Sequence, residues 1–208
     1  MKVEIRLALR DWDYVTPLAL GDVADERIAL KVDRVGTLPE NLATDPDYDA
    51  CEVSFSRYTT GRSRGEAGIF GVPNFVMRGF RHRCIITSRT SKLTRLEELK
   101  SARIGVTGWQ DSGNTWTRAA LSRAGVGIED ARWYAGRLSA AHPITDRLGP
   151  YTRPGRIEAM PGEKPMLDAL LDGELDAIFT PFMPPGFYAP DSPFRHLLTD
   201  LPGAELAY

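Results

Sequence analysis

Segments with strand patterns alternate with helical segments along this chain, and the alternation limits the folds that it can adopt. Helices are predicted from residue 16, after residue 55 up to about residue 64, and at residues 94–101, 114–124 and 165–171. Strands are predicted at residues 3–9, 28–35, 50–55, 83–87, 103–106, 131–134 and 177–179. Strands that alternate with helices favour an α/β fold with mainly parallel sheets.

A break in this pattern near residues 92–96 predicts two lobes. We place lobe 1 at residues 1–88, lobe 2 at residues 89–195 and the start of a return to lobe 1 at residues 196–208. Two-lobed α/β proteins commonly bind their ligand in the cleft, beyond the carboxyl ends of the strands. The loops that follow the predicted strands ending near residues 55, 106 and 179 are therefore expected near a ligand.

The composition narrows the class of protein. Of the 208 residues, 42% are apolar and 26% are charged, which is typical of soluble globular proteins. No segment has the roughly 18 apolar residues of a membrane helix, and the first residues alternate as in a strand, so we expect a cytoplasmic protein without membrane contact. Cys51 and Cys84 lie beside apolar residues and are expected to be reduced and buried. The three histidines are far apart in sequence, so no metal site is predicted.

Positive charge is concentrated in one part of the chain. The formal net charge is −2, yet residues 57–95, which we call the basic stretch, contain nine lysines and arginines and a single carboxylate, Glu66. A cluster of cations in a nearly neutral protein commonly holds an anion, although a solvated loop gives the same pattern. Nucleic-acid binding is a weaker interpretation, because the overall charge is acidic and aromatic residues do not form an interleaved platform.

The clearest local motif is a strand, a glycine-bearing turn and a helix start between Gly105 and Trp116. Such a turn presents backbone N–H groups and the positive end of the helix dipole. Ser112 and Asn114 either cap the helix or donate to a ligand carboxylate. Trp109 either forms a flat wall for an aromatic ring or lies in the core. The glycine spacing is that of neither a phosphate-binding loop nor a dinucleotide site.

Four further polar residues are candidates for a site. Glu52 lies at the carboxyl end of a predicted strand, with Ser54 close by, and is either a proton donor or an ion-pair partner. Asp176 precedes a predicted strand and either reaches the cleft or is a turn residue. His82 lies among arginines, whose charge should lower its pKa and keep it neutral at pH 7.

Four segments, at residues 51–58, 72–83, 105–118 and 166–181, resemble the 4,5-dihydroxyphthalate decarboxylase family, which is similar to type 2 periplasmic binding proteins. The most specific of them is the run Arg78-Gly79-Phe80-Arg81-His82-Arg83. The resemblance implies a two-lobed α/β fold with a ligand cleft between the lobes. It also implies loss of one carboxylate from a dihydroxylated aromatic dicarboxylate, giving a catechol acid and CO2, with no redox or pyridoxal cofactor.

The roles of the candidate residues follow from this resemblance. Arg78 and Arg81 would clamp a carboxylate, Ser112 and Asn114 would hold the second carboxylate or a hydroxyl, and Glu52 or His82 would supply a proton. The predicted substrate-binding residues are Ser54, Arg78, Arg81, Trp109, Ser112, Asn114 and Asp176. The predicted partner is a small aromatic or organic carboxylate, and an oligomer is compatible with the sequence.

An alternative function needs the same residues without a proton donor. It is that of a non-catalytic binding protein for organic anions, either of the ABC transporter substrate-binding type or a cytosolic sensor. Two departures from the family pattern matter for either function. Family members run on by about a hundred residues, so we expect either that the C-terminal part of the family fold is missing here or that the first lobe is built differently. Asp111 stands in a turn that is mostly apolar or threonine-bearing in the family. The Asp111 carboxylate would repel an anionic ligand unless it points away.

Overall fold

The computed structural model describes residues 1–39 and 41–208, and it confirms an α/β protein with parallel strands. The chain divides into two compact units, Met1–Gly79 and Phe80–Tyr208. Each unit has its own sheet and its own helices. None of the helices in the described residues is long and apolar enough to cross a membrane.

The first unit is built on a parallel sheet with the strand order β2-β1-β3. The register aligns Val3 with Ile28 and Leu7 with Val32, so alternate apolar residues of β1 and β2 share one face of the sheet. Its strands are β1 (Val3–Leu9), β2 (Ile28–Arg34) and β3 (Ala50–Cys51), and its helices are α1 (Thr16–Leu20) and α2 (Phe55–Ser63).

The third strand is shorter than the sequence predicted. A strand was expected over residues 50–55, whereas β3 ends at Cys51 and Ser54 is the N-cap residue of α2. The backbone N–H of Glu52 still donates to Ala8 O at 2.9 Å. The chain therefore leaves the sheet within a few residues of Glu52 and enters a helix.

The first unit buries few of its apolar side chains. Ala8, Leu9 and Val15 are buried, whereas Phe70 and Val72 are 90% and 80% exposed. Most of the residues of β1 and β2 are half-buried or exposed. Hydrophobic burial within this unit is therefore small for its length.

The second unit contains a mixed sheet with the strand order β7-β6-β5-β8-β4-β9. Strand β4 is antiparallel to β8 and β9, and the other neighbours are parallel. The strands are β4 (Ile85–Ser88), β5 (Arg103–Val106), β6 (Arg132–Ala135), β7 (Ile157–Ala159), β8 (Ala177–Phe179) and β9 (Phe194–His196). The helices are α3 (Ser112–Arg123), α4 (Met166–Leu171) and α5 (Leu201–Leu206).

Two apolar clusters form the core of the second unit. One joins Leu121 of α3 to Ile104 and Phe179 of the sheet, and the other joins Met166 of α4 to Ile178. Alternate residues of β8 thus enter different clusters, as expected for strands that are buried on both faces. A Cβ at Gly105 would lie 2.8 Å from the sulfur of Met166, so glycine at this position allows α4 to pack closely against β5.

The division between the units differs from the boundary that we predicted after residue 88. Strand β4 pairs with β8 and β9, so it belongs to the second sheet. Residues 196–208, expected to start a return to lobe 1, lie instead in the second unit. The physical reason is that β9 pairs with β4 and that Arg83 binds Glu205 of α5.

Candidate functional site

The predicted strand, turn and helix start are present at the end of β5. This strand ends at Val106, residues 107–111 form a turn that we call the α3 turn, and α3 begins at Ser112. Because β5 and β8 are parallel, the α3 turn and the segment after Phe179 lie at the same edge of the sheet. Open α/β sheets bind ligands at this edge.

The first turn of α3 is not capped by the side chain at its N-cap position. Asp111 holds that position and makes no side-chain capping hydrogen bond within the described residues. Its carboxylate lies against Gly108, where an added Cβ would be 2.5 Å from Oδ2. The first N–H groups of a helix have no partner inside the helix, so these donors and the positive end of the dipole need an acceptor from outside it.

Arg81, from the basic stretch, lies at this end of α3. A Cβ added to Gly113 would be 3.4 Å from Arg81 Nη1 and 3.7 Å from Pro181 Cβ. The guanidinium therefore lies over the first turn of the helix, beside the segment that follows β8. The structure thus places Arg81 beside Gly113, the residue that follows Ser112, and both Arg81 and Ser112 are predicted substrate-binding residues. A guanidinium and the positive end of a helix dipole at one place favour the binding of a small anion.

Asn114 holds the α3 turn and does not present its side-chain NH2 group to a ligand. The residue is buried, and Nδ2 donates to Thr107 Oγ1 at 3.1 Å and to Gly108 O at 2.8 Å. Both hydrogens of the amide are therefore used inside the turn. This corrects the prediction that the Asn114 side chain binds the substrate: it stabilises the turn.

Trp109 lies in the core and does not form a wall for a ligand ring. It is 6% exposed and makes an edge contact with Trp133, with ring centroids 5.6 Å apart. The Arg118 guanidinium lies 4.0 Å from the centroid of the Trp109 ring. Of the two roles that the sequence left open for Trp109, the structure supports the core position, which corrects its assignment to substrate binding.

Asp176 lies at the opposite edge of the second sheet from the α3 turn. Its carboxylate accepts a hydrogen bond from the backbone N–H of Arg103 at 2.7 Å and from Arg103 Nη2 at 2.8 Å. Burial raises the pKa of Asp176, but the hydrogen bonds from Arg103 outweigh burial and lower this pKa overall. Arg103 begins β5, whereas the α3 turn follows the end of that strand. The prediction that Asp176 binds substrate is therefore corrected to a structural ion pair.

His82 is buried near the other end of α3. Its ring packs edge-on against Tyr208 with centroids 5.1 Å apart, and the guanidinium of Arg123, in the last turn of α3, covers the Tyr208 ring at 4.7 Å. The pKa of His82 is lowered, mainly by burial. The charge of Glu205 raises this pKa, and the charge of Arg123 lowers it. The prediction that the pKa of His82 is lowered is confirmed, but burial contributes more to the shift than the charge of an arginine does. The structure does not bring His82 to Ser112.

Three predicted residues lie in the first unit. Glu52 Oε2 accepts hydrogen bonds from Trp12 Nε1 at 2.9 Å and from the backbone N–H of Arg10 at 3.2 Å. The Ser54 hydroxyl lies 3.2 Å from that of Ser56. Arg78 is exposed, and its Nε donates to Phe75 O at 3.3 Å. The Glu52 carboxylate therefore accepts hydrogen bonds from an indole and from a backbone amide. The sequence had left two roles open for Glu52, a proton donor and an ion-pair partner.

Several arginines of the basic stretch bind acceptors close to them. Arg83 makes two hydrogen bonds to the buried carboxylate of Glu205, at 2.7 and 2.5 Å. Arg89 Nε donates to Ser192 O at 2.5 Å, and Arg62 Nη1 donates to Glu66 O at 2.8 Å. The basic stretch is therefore distributed over separate local contacts.

Two arginines outside the predictions contact the α3 turn. Arg118 Nη2 donates to Trp109 O, and Arg147 Nη1 donates to Thr107 O, each at 2.9 Å. Arg118 lies in a segment that carries the family resemblance, whereas the sequence around Arg147 shows only a loop pattern. No cluster of three or more His, Cys, Asp or Glu side chains suited to a metal occurs in residues 1–39 and 41–208.

A separate cavity lies in the first unit, beside α1 and β2. Its volume is about 500 Å³. It contains none of the predicted site residues. The lining residues are Thr16, Ala19, Leu20, Val32, Asp33, Arg34, Val35 and Tyr48.

Comparison with curated proteins confirms the resemblance that the sequence motifs indicated. The chain is similar to two proteins named 4,5-dihydroxyphthalate decarboxylase, from Comamonas testosteroni and Pseudomonas putida, each at 27% identity. The alignments cover 96% and 98% of this chain, and 61% and 80% of those proteins. The chain thus spans about three fifths of the length of the first relative. No family model matches the chain.

Comparison with solved structures supports the fold class. The periplasmic aliphatic sulphonate binding protein SsuA from Escherichia coli is similar, with a TM-score of 0.53 and 12% identity, over 95% of this chain and 60% of that protein. The predicted similarity to periplasmic binding proteins is therefore confirmed at the level of the fold.

Proposed function

We propose that this protein removes one carboxylate from a dihydroxylated aromatic dicarboxylate of the 4,5-dihydroxyphthalate type, giving a catechol acid and CO2. The observation that carries the proposal is the position of the Arg81 guanidinium over Gly113, in the first turn of α3. The two relatives named 4,5-dihydroxyphthalate decarboxylase support the choice of reaction.

Recognition of the substrate rests on its negative charge. A carboxylate at the first turn of α3 would accept hydrogen bonds from backbone N–H groups and from Arg81, and the helix dipole would add to the attraction. Ser112 is the first residue of α3 and so lies at the same helix end. This arrangement favours a small organic anion over a neutral ring.

The chemistry needs a proton and an electron-rich ring. A hydroxyl para to a carboxylate releases electron density toward the ring carbon that bears that carboxylate. A proton adds to this carbon, the bond to the carboxylate breaks, CO2 leaves, and the bonding electron pair restores the aromatic ring. A positioned general acid contributes about 10²–10⁴-fold to such a step, so positioning and desolvation supply the rest of the acceleration.

We propose Glu52 as the acid. Its Oε2 accepts hydrogen bonds from Trp12 and from the backbone of Arg10, and these two donors fix the orientation of the carboxyl group. His82, the other acid predicted from the sequence, is buried against Tyr208, away from the first turn of α3. A buried imidazole with a lowered pKa is mostly neutral at pH 7 and is a weak proton donor.

The second candidate function is non-catalytic binding of a small organic anion. One observation favours it: of the two predicted acids, His82 does not lie at the anion-binding end of α3. This function requires Arg81 and the helix end but no proton transfer. Turnover therefore separates the two candidates, and binding alone does not.

The proposed reaction is tested with purified protein and 4,5-dihydroxyphthalate, by following CO2 release and the aromatic product by chromatography. The expected result is stoichiometric CO2 and catechol acid. Binding of the substrate without CO2 release would support the non-catalytic alternative. A folded protein that neither binds nor converts any aromatic carboxylate would contradict both.

We also propose that the protein acts in the cytoplasm. This proposal is supported by the two free cysteines, Cys51 and the buried Cys84, because reduced thiols are typical of proteins in the reducing cytosol. Fractionation of cells that express the natural gene is the test. Recovery of the protein in the cytosolic fraction is expected, and recovery in the periplasm would contradict the proposal.

A further inference from the structure

Three successive carbonyl groups of the α3 turn each accept a hydrogen bond from a side chain. Thr107 O accepts from Arg147 Nη1 at 2.9 Å, and Trp109 O accepts from Arg118 Nη2 at 2.9 Å. Between them, Gly108 O accepts from Asn114 Nδ2 at 2.8 Å. Each peptide plane carries its C=O and its next N–H in opposite directions. Fixing the three carbonyls therefore fixes the directions of the amides that follow them.

Arg147 is joined to the α3 turn by two bonds. Besides the bond from its guanidinium to Thr107 O, its own carbonyl accepts from the backbone N–H of Trp109 at 2.9 Å. Its Nη2 donates to Pro143 O at 2.9 Å, which ties the guanidinium to its own loop. The loop around Arg147 is thus attached to the turn on both sides of Gly108.

Positive charge lies beside the α3 turn, on the guanidinium groups of Arg118 and Arg147. Arg118 and Arg147 are half-buried, and Arg118 Nη1 and Arg147 Nε are buried atoms with no hydrogen-bond partner in the described residues. Burial lowers the pKa of Arg118 to about 10, and the charge of Asp111 raises it. Buried cations are costly unless an anion or several acceptors compensate them. Arg118, Arg147 and the helix dipole therefore place positive charge at this end of α3.

We infer that Arg118 and Arg147 are positioning residues for the anion site: they turn the carbonyls of residues 107–109 away from the ligand and offset the charge of Asp111. The inference rests on the proposed function, because it assumes that an anion binds at the first turn of α3. It also accounts for the acidic residue in the turn. The Asp111 carboxylate lies against Gly108 and interacts with Arg118, so its repulsion of a bound carboxylate is reduced.

The test uses steady-state kinetics of the full chain with 4,5-dihydroxyphthalate. Arg147→Ala removes the bonds to Thr107 O and Pro143 O, and we expect KM to rise about tenfold or more, since the lost bonds involve a charged donor. The carboxylate that binds at α3 stays bound through the reaction, so kcat is expected to change by no more than about twofold. Arg147→Lys keeps one charged donor and should give an intermediate KM. Arg153→Ala, which removes an exposed arginine paired with Glu129, is the control and should behave as wild type.

Arg118→Lys provides a second variant in case Arg147→Ala does not fold, and its KM is expected to rise as well. A fall in kcat with unchanged KM in these variants would indicate only a loss of folded protein and would overturn the inference. Wild-type kinetics in every variant would also overturn it, while leaving the proposed function intact. If the wild-type protein shows neither turnover nor binding by calorimetry, the proposed function fails, and the inference fails with it.

Discussion

Arg81 and Arg83 are two residues apart and have different surroundings. Arg83 makes two hydrogen bonds to the buried carboxylate of Glu205, and this pair fastens α5 to the rest of the second unit. The Arg81 guanidinium lies over the first turn of α3. The side chains of neighbouring arginines thus point to different helices, and the number of charges in a stretch does not reveal this. Only the path of the backbone between Phe80 and β4 separates the two roles.

The role of Glu52 as the acid is tested by Glu52→Gln. Glutamine keeps an oxygen that can accept from Trp12 and Arg10, so the fold should be retained, but it cannot donate the proton of a carboxylic acid. We expect kcat to fall by about 100-fold or more, with substrate affinity unchanged within about threefold.

The control for this variant is Glu97→Gln, which changes an exposed glutamate of the second unit. This control should leave kcat and the affinity for substrate unaltered. If Glu52→Gln turns over substrate at the wild-type rate, another group supplies the proton. If affinity falls together with kcat, Glu52 acts in binding.

His82 makes stability depend on pH. Burial lowers its pKa from the ordinary value of 6.5. The unfolded state therefore binds the proton more readily than the folded state, so the stabilisation is present above pH 6.5 and is lost as the pH falls through and below that value. We expect Tm to decrease between pH 7.5 and 5.5, and His82→Phe should make this decrease smaller.

Thermal unfolding followed by circular dichroism at several pH values measures this effect. His196, whose pKa is also lowered by burial, adds to the decrease in the same direction. His142→Gln, at an exposed position, is the matched control, and its Tm should change with pH as that of the wild type does. If Tm changed equally with pH in wild type and in His82→Phe, this would contradict the claim that His82 makes stability depend on pH.

At the scale of the element, the α3 turn depends on Asn114. Asn114→Ala removes two hydrogen bonds in a buried position. Within residues 1–39 and 41–208, it leaves the carbonyl of Gly108 with the longer bond from the backbone N–H of Asp111, at 3.3 Å. We expect a loss of about 2 kcal/mol in the free energy of unfolding, as for other buried hydrogen-bonded side chains.

Urea unfolding followed by tryptophan fluorescence measures the loss. Ser122→Ala, at an exposed position of the same helix, is the control and should change stability by less than about 0.5 kcal/mol. Equal stabilities of Asn114→Ala and wild type would show that the hydrogen bonds of Asn114 do not hold the turn.

Sequence patterns located most strands and the β5–α3 motif, because apolar periodicity and glycine turns are local signals. They failed where tertiary contacts decide the structure. The helix predicted at residues 94–101 is a single 3-10 turn, Leu96–Leu99, and residues 194–196 form β9 only because β4 offers a partner. The sequence also left two roles open for each of Trp109 and Asp176, because tertiary contacts decide between them. Their positions depend on residues distant in sequence, Trp133 and Arg103.

At the scale of the whole molecule, the two units differ in how much apolar surface each buries. The second unit has two clusters of fully buried side chains around its sheet. In the first unit, the buried apolar residues among those described are Ala8, Leu9 and Val15. A unit of this length needs a larger core to offset the entropy of the chain.

We therefore expect residues 80–208 expressed alone to fold and residues 1–79 expressed alone to remain largely unfolded. Circular dichroism and the dispersion of amide resonances in NMR spectra measure this difference. A cooperative unfolding transition in isolated residues 1–79 would contradict the account of the first unit. An unfolded second unit would contradict the description of its core. The prediction of a ligand cleft between two lobes stays a prediction.

The central claim is that Arg81 and the first turn of α3 bind a small organic anion, and calorimetric titration of Arg81→Ala with 4,5-dihydroxyphthalate tests it most directly. Arg132→Ala, which changes an exposed arginine at the opposite edge of the same sheet, is the control. The account predicts wild-type affinity for Arg132→Ala and a loss of about 30-fold or more for Arg81→Ala, as when one partner of a charged pair is removed. Equal affinity of wild type and Arg81→Ala would contradict it.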